Sequence, residues 1–241
     1  MSSQITRRSL LRSSAVAALG SAAVGNGTDL FEKPVSSALS RSYDIDDDGT
    51  DHVQFAAADD PAGERGSVLQ ATSQGTATRD YAISLQNLAF ADLTLADLVS
   101  DGLRYDYYAT EANTSMAPNE ICLVLTGRES GLDFVFRTKD DEREGEWYTR
   151  DVTTELTGDS DCPGSDQPWK RIHLTRKNAT AMDGSNVEHL EEDLLADFDA
   201  NTSVRAAGLG HGTPTMDPST IDTYYDAFTV AGREYELSTT N

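Results

Sequence analysis

Apolar and polar positions alternate in short runs along most of the chain, the period of half-buried strands rather than of helices. The clearest runs lie near the C-terminus. Residues 203–209 alternate small and apolar side chains and lead into Gly208, Gly210 and Gly212, which predict a turn with positive φ. Residues 221–230 are β-branched and aromatic, and Gly232 turns them into a period-two stretch at 234–237. Such a closing hairpin must bury one face on strands formed earlier.

The earlier strands are predicted at 52–57, 67–71, 80–86, 103–107, 120–125, 132–137, 147–152 and 169–174. Within them Leu103, Tyr105 and Tyr107 share a face. Tyr81, Ile83 and Leu85 share another, and Ile121, Leu123 and Leu125 point inward, as do Leu132, Phe134 and Phe136. Thr94 predicts the cap of a single helical turn at 95–98. Residues 188–198 place Leu190, Leu194 and Phe198 on one helical stripe and predict the one longer helix. Many short strands and so little helix imply an all-β fold, two packed antiparallel sheets over residues 51–238.

Residues 1–27 have a different character. Arg7, Arg8 and Arg12 flank two leucines, and a short apolar run and small residues follow. That order resembles a twin-arginine export signal. The run is shorter than the roughly 20 residues that span a bilayer, so no integral membrane segment is expected in the mature form. Residues 28–50 read as a linker ending in an acidic run.

Composition then narrows the setting. The chain has 41 Asp and Glu against 19 Lys and Arg, a net charge of -22. An acidic chain with four lysines resembles the haloarchaeal type of protein, in which carboxylates hold water and molar salt screens their repulsion. Regular strand patterns argue against disorder as the meaning of that charge. No basic patch exists to neutralise phosphates, so nucleic acid is not an expected partner.

Candidate chemistry is sparse. Asp44, Asp46 and Asp48 alternate before Gly49, the first half of a calcium loop, but Phe55 stands where a closing Glu belongs. Two readings stand there: a solvated charge run, or a partial calcium site completed from elsewhere. Cys122 and Cys162 would meet an oxidising exterior, as a disulfide or as two free thiols. His52, His173, His189 and His211 lack the G-x-S-x-G elbow or H-E-x-x-H spacing of hydrolases, so no catalytic residues are assigned. Asn113, Asn178 and Asn201 each begin a glycosylation sequon.

Aromatic side chains remain. Sugar rings stack their C–H faces on Trp and Tyr, and Trp147, Tyr148, Trp169, Tyr224 and Tyr225 are available. Adjacent rings in a strand face opposite ways, so only part of this set can form one platform. Trp169, Arg171 and His173 share a strand face, and that face is expected to be exposed, with Ile172 and Leu174 inward. The alternative is that both tryptophans are core.

The order of blocks resembles the jelly-roll β-sandwich of secreted carbohydrate-binding modules. The resemblance rests on the strand at 66–69, the Leu-x-Asp-Leu turn at 95–98 and the aromatic strand at 105–107. It continues through the Pro-preceded strand at 121–125, two Trp-bearing strands and the aromatic-Asp-x-Phe-x-Val strand at 225–230. It implies a jelly-roll-like fold and a structural calcium to which Asp226 would contribute. The function it implies is an exported, non-catalytic module that binds polysaccharide or cell-surface glycan at the exterior. The alternatives are a structural component of a cell envelope or extracellular assembly, and a glycan-active enzyme.

Overall fold

Strands form where the period-two runs predict them, and each pairs antiparallel with its neighbours. The computed structural model describes residues 39–43, 50–73, 80–88, 91–110, 119–139, 144–158, 168–175, 187–211 and 221–237. Numbered along the chain, one sheet runs β1 (Leu39–Tyr43), β4 (Tyr81–Asn87), β11 (Val204–His211), β6 (Asn119–Thr126), β7 (Leu132–Lys139), β9 (Lys170–Leu174) and β10 (Val187–His189). The other runs β2 (Val53–Asp59), β3 (Ser67–Ser73), β12 (Asp222–Val230), β5 (Leu103–Ala109) and β8 (Tyr148–Asp151). There β13 (Arg233–Tyr235) folds back on β12. The two sheets form a β-sandwich, as the alternation implies. The export signal, Asp44, Asp46, Asp48, Cys162, Asn113 and Asn178 lie outside the described residues.

The sandwich interior is filled from both sheets. Ile121, Leu123, Leu125 and Val135 meet Leu103, Tyr105, Tyr107, Tyr225 and Phe228, all buried. The seven-stranded sheet is apolar on its other face too, where Tyr81, Ile83, Leu85, Val124, Phe134 and Phe136 form a second cluster. This corrects the expectation that Phe134 and Phe136 point the same way as Ile121. Phe136 sits opposite Cys122 and Phe134 opposite Val124, so the phenylalanines take the outer face.

Three further expectations change. Leu39–Tyr43, inside the predicted linker, is a strand paired with β4, Leu39 opposite Leu85 and Tyr43 opposite Tyr81. Gly208 and Gly210 do not turn the chain. They lie within β11, where a Cβ on Gly208 would strike the Ser84 carbonyl and one on Gly210 the Tyr81 hydroxyl and Cys122 sulfur. Small residues are needed there because neighbouring groups approach so closely. Finally, the predicted helix at 188–198 shrinks to α2 (Leu194–Asp197), capped by Asp193, whose carboxylate accepts from the Leu195 amide at 2.9 Å. Glu188 instead lies in β10 opposite Arg171 and pairs with it, a tertiary contact that overrides helical preference.

Other local predictions hold. The helical turn α1 (Leu95–Asp101) begins with Thr94, whose hydroxyl accepts from the Asp97 amide while the Asp97 carboxylate accepts from the Thr94 amide at 2.7 Å. Ala231 and Gly232, both at positive φ, make the tight turn from β12 to β13. Among the described residues no helix is long and apolar enough to cross a membrane.

Candidate functional site

Strand β9 was the sequence's first choice for an exposed binding face, and the structure turns that face inward. Trp169, Arg171 and His173 do share a side, but Trp169 is 0% exposed within the sandwich core. Its indole nitrogen donates to the Glu155 main-chain carbonyl at 3.1 Å. Arg171 and His173 both bond one oxygen of the buried Asp133 carboxylate, at 2.8 and 2.7 Å. Burial disfavours the ionised Asp133, but hydrogen bonds from His173, the Arg128 amide and Arg171 outweigh that and hold its pKa below the usual range. Arg171 is buried and His173 half-buried on this face because Asp133 on β7 and Glu188 on β10 supply the counter-charge. Ile172 and Leu174, expected inward, join the outer apolar cluster.

Among the described residues, a row of half-buried aromatic rings lies on the outer face of the other sheet. On β5 the odd positions Leu103, Tyr105 and Tyr107 are fully buried, so Tyr108 must face outward, and it is half-exposed. On β12 Tyr225 is buried and Tyr224 half-exposed, directly opposite Tyr108. Tyr107 pairs with Tyr148, which brings Trp147 beside Tyr108. The three outer rings run across adjacent strands: Tyr224 to Tyr108 at 6.3 Å between centroids, Tyr108 to Trp147 at 5.7 Å. Both contacts are edge-to-face, the arrangement aromatic quadrupoles favour. Tyr148 points the other way and packs against the core, its ring 6.0 Å from Tyr107.

Polar groups frame these rings. Gln70 on β3 donates from its amide nitrogen to Asp222 and to the Tyr224 hydroxyl, each at 2.8 Å. Thr110 donates to the other Asp222 oxygen at 2.8 Å. Partial burial, then the adjacent Asp222 carboxylate, raise the Tyr224 phenol above its ordinary pKa. At the other end Trp147 donates from its indole nitrogen to Asp60 at 3.0 Å. Asp60 organises the β2–β3 turn by accepting from the Ala62, Glu64 and Arg65 amides at 2.9, 2.6 and 2.6 Å. Desolvation works against its charge, but those bonds and the indole hold its pKa low.

That turn presents Arg65. Its guanidinium lies 3.9 Å from the Trp147 ring centroid and pairs with Asp106 at 2.8 Å and Asp226 at 3.2 Å. Asp226, expected to hold calcium, thus has an arginine as its cation. Among the described residues no group of three or more His, Cys, Asp or Glu converges to hold a metal ion. Cys122 is a buried free thiol 3.3 Å from the Tyr81 oxygen, the second of the two alternatives at that residue, and Cys162 lies outside the described residues. Asn201 is exposed in the turn before β11, its side chain and amide both bonded to Asp199.

Of the aromatic residues nominated from sequence, the structure brings Trp147 and Tyr224 to one face and leaves Trp169, Tyr225 and Tyr148 in or against the core. Tyr108, Arg65, Asp60, Gln70 and Asp222 were missed. Tyr108 had a signal, since it follows the buried alternation of Leu103, Tyr105 and Tyr107. Arg65 had none, because 161 residues separate it from Asp226.

No protein-family model matches the chain, and no curated protein matches its sequence. Among solved structures it is similar to the family 11 carbohydrate-binding module from Clostridium thermocellum in complex with a β-1,3-1,4-mixed-linked tetrasaccharide. Identity is 14% and the TM-score 0.40, over 86% of this chain and 94% of that one. It is also similar to an exo-β-agarase at 12% identity and a TM-score of 0.38, over 86% of this chain but only 24% of the agarase. Likeness at this level carries no argument about ligand, which rests on the site itself.

Proposed function

We propose that this chain is an exported, non-catalytic glycan-binding module whose binding face is the outer surface of the six-stranded sheet. The observation that carries this reading is the run of half-exposed rings, Tyr224, Tyr108 and Trp147, laid across three neighbouring positions of one sheet face. Rings there can take the apolar faces of successive sugar units, while Asp222 and Gln70 offer acceptors and donors to hydroxyls. Their carboxylates and amides are already hydrogen-bonded to one another, which holds them in place before a ligand arrives. Export by the paired-arginine route belongs to the same reading, so Arg7→Lys with Arg8→Lys should hold the precursor inside the cell.

Affinity electrophoresis against a panel of polysaccharides tests the site. Tyr108→Ala with Tyr224→Ala should weaken retention by about tenfold or more, as loss of anchoring aromatic contacts does. The thermal transition should shift only slightly, because both rings are half-exposed. Unchanged retention in the double variant, or no polysaccharide retained by the native protein, overturns the proposal.

A further inference from the structure

Arg65 sits where a ligand would stack. At 3.9 Å from the Trp147 centroid its guanidinium covers one face of the ring, and it bridges two carboxylates that face each other across β5 and β12. Arg65 is therefore held between an aromatic ring and two carboxylates, Asp106 and Asp226, with Asp60 on the indole edge. Such a box is complementary to a cation. Asp106 and Asp226 pair with Arg65, Asp60 holds the Trp147 edge and Asp222 lies at the Tyr224 end, against Arg65 and the exposed Arg104 on β5, so the face keeps a negative excess.

We propose that Arg65 is a displaceable internal stand-in for a positively charged ligand group, and that the face selects glycans bearing free amines over neutral or carboxylated ones. This rests on the glycan-binding reading above and names its ligand class. Arg65 is well placed to leave. Its side chain is 24% exposed, it rides on a short turn, and Asp226 is 41% exposed. Partly exposed pairs of this kind are weak individually, so an incoming ammonium can replace the guanidinium without much loss. When Arg65 swings out, a sugar ring gains the Trp147 face and its amine gains Asp106 and Asp226. A carboxylated sugar meets those same carboxylates and is repelled.

Calorimetry on the folded protein decides this, at the lowest salt that keeps it folded and at a pH where carboxylates are ionised and amines protonated. The probes are a β-1,4-linked glucosamine oligomer, its fully N-acetylated counterpart and a galacturonate oligomer of equal length, with spermine as a cation lacking any sugar. The expected order is free amine, then acetylated, then carboxylated, with spermine weaker than the glucosamine oligomer. Arg65→Ala should tighten the amine ligand about tenfold by removing the competing cation. Asp226→Asn in that background should pull it back toward the acetylated one. Arg65→Gln, which keeps most of the stem, serves if the alanine variant does not fold. Equal binding of aminated and acetylated oligomers in both proteins overturns this inference while leaving the glycan reading intact. Spermine binding as tightly as the aminated sugar also overturns it, as does weaker amine binding by the Arg65 variants. Binding of none of these sugars overturns this inference, and the polysaccharide panel above then decides the glycan reading separately.

Discussion

The Trp169 indole donates to the main-chain carbonyl of Glu155, and that carbonyl also accepts from the Arg137 guanidinium at 2.9 Å. Trp169 is thus fastened to the same short segment that supplies the buried Glu155 carboxylate. Trp169→Ala should cost about 3–5 kcal/mol in urea denaturation, the range for deleting a large buried aromatic. Trp147→Ala, at a half-exposed ring, should cost clearly less. A Trp169 variant as stable as the native chain would contradict the burial that excludes this residue from ligand contact.

The Glu155 side chain carries the second prediction. Its two oxygens take bonds from Arg150 at 2.9 and 2.7 Å, Arg150 also donates to the Tyr105 hydroxyl at 2.9 Å, and Arg137 approaches Glu155 at 3.6 Å. All these side chains are essentially inaccessible. Glu155→Ala strands two guanidinium groups in the core and should cost about 3–5 kcal/mol. Replacing Glu155 with Leu and both arginines with Met should restore at least half of that, because no charge is left unpaired. If the triple variant is less stable than Glu155→Ala, the network contributes more than charge compensation.

Acid and base should act on the fold through two buried groups of opposite sense. Desolvation raises Glu120 to about 7, despite hydrogen bonds from Thr138 and Tyr81 and the charges of Lys170 and Arg150. Its folded form holds a proton that the unfolded chain gives up, so this contribution is full below about pH 4.5 and lost as pH rises through about 7. Burial lowers His211 to about 3, and its ring nitrogen is engaged with the Tyr225 hydroxyl. Its contribution is full above about 6.5 and lost as pH falls toward 3. Each spans about 3–5 kcal/mol at most. Unfolding free energies across this range should be flattest between about pH 4.5 and 6.5, where the two slopes oppose. Glu120→Gln should replace the plateau with a rise that continues to about pH 6.5 and abolish the decline between about 6.5 and 7, leaving the acid limb. Identical profiles for the variant and the native chain would show that Glu120 does not titrate in that window.

Strand positions were largely legible in the sequence because a half-buried strand writes its period into residues such as Leu103, Tyr105 and Tyr107. Which way a strand faces was not. Sequence alternation in β9 is correct, yet its polar side faces the sandwich interior and its apolar side the outer cluster, since Asp133 and Glu188 reach Arg171 from other strands. The seven-stranded sheet is apolar on both faces, so hydrophobicity alone could not label Phe134 as outer. The site was half legible for the same reason. Trp147 and Tyr224 were nominated, while the register that sets Tyr108 opposite Tyr224 is a long-range pairing that local pattern does not encode.

Salt is the last lever. The chain's net charge is -22, and its exposed carboxylates include Glu144, Glu146, Glu234 and Glu236. At about 0.1 M salt the screening length is about 10 Å, comparable to spacings between neighbouring surface charges, and at about 1 M it falls to about 3 Å. Repulsion among these groups should therefore destabilise the fold in dilute buffer, and the urea midpoint should climb as sodium chloride is raised. Buried pairs such as Arg150 with Glu155 are shielded from ions and should contribute little to that climb. A rise with salt alone is ambiguous, because salt excluded from the surface also strengthens apolar burial. Neutralising Glu144, Glu146, Glu234 and Glu236 to Gln separates the two causes. Under screening, the variant is more stable than the native chain at low salt and its salt dependence is shallower. Under exclusion, both proteins climb in parallel. Parallel slopes, or a native chain equally stable in dilute buffer, would remove surface repulsion as the reason this protein carries so much acid.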